Sequence, residues 1–95
     1  MDIPEIEERE ELSEDEIAER INELHLGDRV LFNERQVPLR VTQLNADGRV
    51  SIGEDLSGIE IEGQSVQYIL SPDEAMYHRR SGIVRRSVKW VQKIS

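Results

Sequence analysis

The sequence predicts a mainly β domain with a single N-terminal α-helix, an α+β arrangement in which the helix caps a small five-stranded antiparallel barrel. Three observations lead there. A helix-start signature near the N-terminus is followed by an apolar stripe of helical period. After Gly27 apolar residues alternate with polar ones in short runs separated by tight turns. The aliphatic residues are eight Leu, ten Ile and eight Val, and the eighteen β-branched ones among them favour extended backbone. Short strands without a long crossover pair antiparallel, and curling into a barrel best buries their common face.

Residues 1–12 are rich in Glu, contain Pro4, and offer apolar groups only at Ile3, Ile6 and Leu12. Like charges repel and little surface is available for burial, so this stretch reads as a disordered or fraying arm, with extension of the next helix as the alternative. Residues 13–95 then form one domain. Ser13-Glu14-Asp15-Glu16 is a capping box, and acids in a first turn suit the helix dipole. Ile17, Ile21 and Leu24 follow at i, i+4 and i+7, which predicts a helix over about 14–25 that stops at Gly27.

The barrel is expected over 28–94. Asp28–Phe32 reads as a strand with Val30 and Phe32 on one face, and Asn33-Glu34-Arg35-Gln36 as a polar turn. Pro38 opens a second strand, Leu39–Asn45, at a position where a missing N–H does least harm. Asn45-Ala46-Asp47-Gly48 is a turn signal, and the chain returns as Arg49–Ile52 with Val50 and Ile52 inward. After the loop 53–58, Ile59 and Ile61 alternate with Glu60 and Glu62, Gly63-Gln64 reads as a break or bulge, and Val66–Leu70 continues extended. Ser71-Pro72-Asp73-Glu74 signals either one or two helical turns through about His78 or a turn before a strand over Ala75–Arg79. Ile83–Ile94 reads as one strand, in preference to a helix, with Val84, Val88, Trp90 and Ile94 inward. On that face Arg86 alone is out of place.

Charge is sorted along the chain. Residues 1–23 hold eleven acids and two bases, whereas 75–95 hold six bases and no acid, inside a net charge of −8. Cysteine is absent, which excludes disulfides and thiolate metal sites. No apolar run approaches the roughly 20 residues of a membrane helix, and the acidic start is unlike a secretory leader, so a cytoplasmic protein is expected. Ten Arg against two Lys, with fourteen Glu against six Asp, suit a salt-adapted source.

Candidate chemistry is sparse. His25 ends the helix, where a favourable contact with the dipole accounts for it, and His78 sits among cations. No nucleophile motif, phosphate loop or metal-ligand spacing occurs, and the acids Glu54, Asp55 and Glu60 read as a polar loop. A catalytic carboxylate needs an enclosed pocket, for which a filled small barrel has little room. The expectation is therefore no enzyme, no metal and no cofactor.

Leu26-Gly27-Asp28-Arg29-Val30 resembles the opening of many SH3-like barrels, where a Gly-Asp pair precedes the first strand. The order of one helix and five strands is similar to the Sm-like version, without the paired signature motifs that would carry its RNA-binding ring. The chain also looks like small, acidic, Arg-rich proteins of salt-loving archaea, a resemblance that brings no activity.

The basic end is the candidate site. If 83–94 is one strand, Arg85, Lys89 and Lys93 share its outer face and span roughly 26 Å at about 3.3 Å per residue. That is long enough to follow several phosphates. Arg79, Arg80 and Arg86 add charge, and Tyr77 offers a stacking face. The same charges also read as the solvated face of an edge strand. The functional expectation is a binding module for nucleic acid or another polyanion. The alternative is a protein–protein interaction module using the acidic helix and arm or an exposed sheet edge.

Overall fold

The computed structural model describes residues 6–54 and 67–95. The strand expected around Ile59–Ile61, its neighbouring loop from Asp55 and the Gly63-Gln64 break lie outside the described residues. The helix α1 spans Glu14–Asn22. The strands are β1 (Arg29–Phe32), β2 (Leu39–Leu44), β3 (Val50–Glu54), β4 (Gln67–Ser71), β5 (Met76–Arg79), β6 (Arg85–Ser87) and β7 (Val91–Lys93). They form one curled antiparallel sheet, a half-barrel, in the order β6-β5-β4-β3-β2-β1-β7. Among the described residues seven strands replace the five expected.

The start of α1 follows from its cap. The Ser13 hydroxyl accepts from the Glu16 amide at 3.2 Å, while the Glu16 carboxylate turns to Arg20 at 3.1 Å instead of reaching back. The helix stops three residues short of the expected end. The Leu24 amide donates to the Ile21 carbonyl at 3.2 Å, which tightens the last turn, and the His25 amide is taken by the Asp28 carboxylate at 2.8 Å. Ile17, Ile21 and Leu24 are buried where α1 meets β7, β4 and the 3-10 turn Pro72–Glu74.

The β2–β3 hairpin closes through Asn45–Gly48, with the Gly48 amide on the Asn45 carbonyl at 3.0 Å. Gly48 has φ of 90°, a left-handed geometry that glycine adopts without a steric cost. Pro72 begins a single 3-10 turn, not a longer helix, and Ala75, at φ 49°, turns the chain straight into β5. Val30, Phe32, Leu39, Val41, Val50, Ile52 and Leu70 fill one core with the helix residues.

The largest departure is at 83–94. This segment is not one strand. β6 pairs with β5 at one edge of the sheet and β7 pairs with β1 at the other, so residues 88–90 carry the chain across between the edges. Asn33, at the end of β1, holds that crossing. Its amide Nδ2 donates to the Ser87 carbonyl at 3.0 Å, and its Oδ1 accepts from the Lys89 amide at 2.7 Å and, more weakly, from the Trp90 amide at 3.4 Å. Asn33 itself has φ of 53°, a conformation Asn tolerates better than most residues. Val88 joins the core and Trp90 is buried, but Val84 is 66% exposed, which corrects its expected place inside. It precedes β6 at the sheet edge, beyond which no further strand pairs among the described residues.

Candidate functional site

Two rows of residues run across the sheet in register. Val50, Leu70, Tyr77 and Arg86 are successive partners on β3, β4, β5 and β6. Ile52, Tyr68 and Arg79 form the parallel row on β3, β4 and β5. Side chains alternate along a strand, and Val50, Ile52 and Leu70 belong to the core, so both rows lie on the concave face. The tyrosines extend the core toward the edge, and the two arginines continue it as a cationic rim.

Phe32 from β1 meets both tyrosines. Its ring centre is 4.8 Å from Tyr77 and 5.6 Å from Tyr68, and the tyrosines are 5.7 Å apart, all in edge-on geometry. Two cavities of about 460 and 430 Å³ adjoin this cluster, and Tyr68 and Tyr77 line both. Arg9, Arg35 and Lys89 stand around the first, together with the acids Glu11 and Glu34. Arg79 and Arg86 stand around the second. Arg35 reaches Tyr68 twice, with its guanidinium 5.2 Å from the ring centre and a 3.1 Å bond to the phenol oxygen, while its Nε is buried without a partner.

The charge pairing is uneven. Arg20 is paired with Glu7 and Glu16, Arg49 with Asp47, Arg85 with Glu74, and Lys93 with Asp28. Arg29 and Arg40 are also engaged. Among the described residues, Arg9, Arg35, Arg79, Arg86 and Lys89 have no carboxylate partner, and all five line the two cavities. Of the six cations without a carboxylate partner among the described residues, five thus stand around one aromatic cluster, and the sixth, Arg80, is bonded to the neutral Gln67 side chain.

Of the stretch expected to be an arm, residues 1–5 lie outside the described residues, and 6–12 are tied across Trp90. The Leu12 amide donates to the Lys89 carbonyl at 2.8 Å, and the Glu7 amide to Gln92 Oε1 at 3.1 Å. The Glu7 carboxylate accepts from the indole N–H at 2.9 Å and from Arg20. Arg9 lies 4.9 Å over the indole and donates to the Asn33 and Arg35 carbonyls. The Arg20 hydrogen bond holds the Glu7 carboxyl below its ordinary range, partial burial opposes this, and the indole bond adds to it.

The expected cationic row of Arg85, Lys89 and Lys93 does not exist. Arg85 pairs in register with His78 on the opposite face from Arg86 and is held by Glu74. Lys93 sits at the far edge, 3.7 Å from Asp28. Arg80 is bonded to Gln67 at 2.8 Å. Tyr77, Arg79, Arg86 and Lys89 do come together, but around the groove and not along an outer strand. Arg86, out of place on a flat strand, is the rim residue of the concave face. Sequence reasoning missed Arg9, Arg35 and Tyr68. The register of the β4–β5 hairpin, once Pro72 is read as a one-turn reversal, is the signal that pairs Tyr68 with Arg79.

Among the described residues no group of three or more His, Cys, Asp or Glu is placed to hold a metal ion, and no helix is long and apolar enough to cross a membrane. No family model, curated protein or solved structure matches this chain.

Proposed function

We propose that the protein is a non-enzymatic binding module that takes a polyanion, specifically nucleic acid, in the groove over Phe32, Tyr68 and Tyr77. The observation that carries this reading is the gathering of Arg9, Arg35, Arg79, Arg86 and Lys89, each without a carboxylate partner among the described residues, around that cluster. Cations left unneutralised in an acidic protein can take the phosphates of a ligand and release its counterions. The crossing at 88–90 joins the two sheet edges through the chain, which supports reading the half-barrel as an SH3-like module.

Titration of a labelled oligothymidylate at rising salt tests the proposal. Affinity should fall linearly on a log–log plot against salt. Arg86→Gln should flatten the slope by about 0.7, the share of one phosphate contact on a single strand. Arg85→Gln, on the other face, should leave it unchanged. Equal effects of the two substitutions would remove the groove as the site.

A second reading has its own observation. Ile83 and Val84 are 94% and 66% exposed beside the edge strand β6, a surface suited to an added peptide strand. A recurrent co-purifying protein that survives nuclease treatment and is lost on Ile83→Ser favours that reading.

A further inference from the structure

The groove repeats one arrangement twice. Tyr68 on β4 is the register partner of Arg79 on β5, and Tyr77 on β5 is the register partner of Arg86 on β6. Each pair places a half-buried phenol ring toward the centre of the concave face and a guanidinium one strand nearer the rim. Neighbouring strands are about 4.8 Å apart and the rows are separated by two residues, about 6.6 Å along the strands. Among the described residues neither guanidinium is stacked on a ring or held by a carboxylate. A cross-strand Tyr–Arg pair made only for stability would use the guanidinium in one of those ways.

From this we infer that the groove selects unpaired nucleotides, taking a base against each tyrosine and its phosphate at the arginine beside it. The inference rests on the proposed groove and narrows its ligand to single strands. In a duplex the base faces are stacked on one another and only phosphates and base edges are presented. Rings recessed in a concave floor, with Phe32 at 1% exposure beneath them, are reached by a flat group that enters from above. Every base has such a face, so the platform is tolerant of sequence. At Tyr68 the planar Arg35 guanidinium, laid over the ring, is itself part of the platform on which a base stacks.

Three probes separate this from general polyanion binding: a short labelled oligothymidylate, the same strand annealed to its complement, and inorganic polyphosphate. The single strand should bind at least about tenfold more tightly than the other two, since two bases stacked on aromatic rings are together worth more than that factor. Tyr77→Leu should weaken oligothymidylate by about tenfold while changing polyphosphate by less than about twofold. Tyr77→Phe keeps the ring and should bind oligothymidylate as the unaltered protein does. If Tyr77→Leu fails to fold, the comparison of the three probes on the unaltered protein decides alone. Equal affinity for all three overturns the single-strand inference and leaves the polyanion reading standing. Failure of all three to bind overturns both.

Discussion

Asn33 is the residue on which the crossing at 88–90 depends, and its replacement has a magnitude that can be worked out. Asn33→Ala removes two good side-chain bonds, at 3.0 Å to Ser87 and 2.7 Å from Lys89, and a long one at 3.4 Å from Trp90. Two net hydrogen bonds are worth about 1–3 kcal/mol, toward the lower end here because the crossing is partly open to water. Alanine also has to hold the φ of 53°, which adds about 1 kcal/mol. The loss is therefore about 2–4 kcal/mol. In a domain of 95 residues, 1 kcal/mol moves Tm by about 4–8 °C, so Asn33→Ala should lower Tm by at least about 8 °C. Asn33→Gly removes the same bonds but accepts the backbone angle, and should lie between Asn33→Ala and the unaltered protein. Differential scanning calorimetry on the three proteins is the assay. A Tm for Asn33→Ala within about 2 °C of the unaltered protein would refute the clasp. Glycine falling below alanine would refute the contribution assigned to the backbone angle.

The arm is the next test, because the single Trp reports on it. The Glu7 carboxyl is held below its ordinary 4.5 by Arg20, so its bond to the indole is fully present above that value and is lost as pH falls below it. Acrylamide quenching of Trp90 should rise over that range, and Glu7→Gln should abolish most of the pH dependence. Quenching that stays flat below the ordinary carboxylate range in the unaltered protein would mean that Glu7 does not hold the arm. In the core, Ile21 is fully buried, and Ile21→Ala should reduce unfolding stability by about 2–5 kcal/mol in urea without changing the slope of the transition. A loss under 1 kcal/mol would place α1 outside the cooperative unit.

Elements closed by local hydrogen bonds follow from the sequence, and those closed by distant ones do not. The start of α1 was legible because Ser13 and Glu16 are three residues apart and the cap is a local hydrogen bond. The β2–β3 hairpin was legible for the same reason, since Asn45–Gly48 closes on itself. At 71–79 the local signals supported both a helix and a turn before a strand. Pairing of Met76–Arg79 with Gln67–Ser71 selected the strand.

The sequence by itself determined that this is a β-rich domain with one capped helix, and that residues 75–95 carry six bases and no acid. Only the tertiary structure decided where those cations point. Arg85 and Arg86 are neighbours in the chain, yet one meets Glu74 and the other lines the groove. Their faces are set by pairing with β5, and the strand cannot run on because Asn33, more than fifty residues earlier, turns it across to β1. Short-range propensity describes each segment as extended. Which edge a segment joins, and so which side of the sheet its charges occupy, is a long-range choice governed by burying Val88, Trp90 and Val91 together with hydrogen bonds that no local pattern encodes.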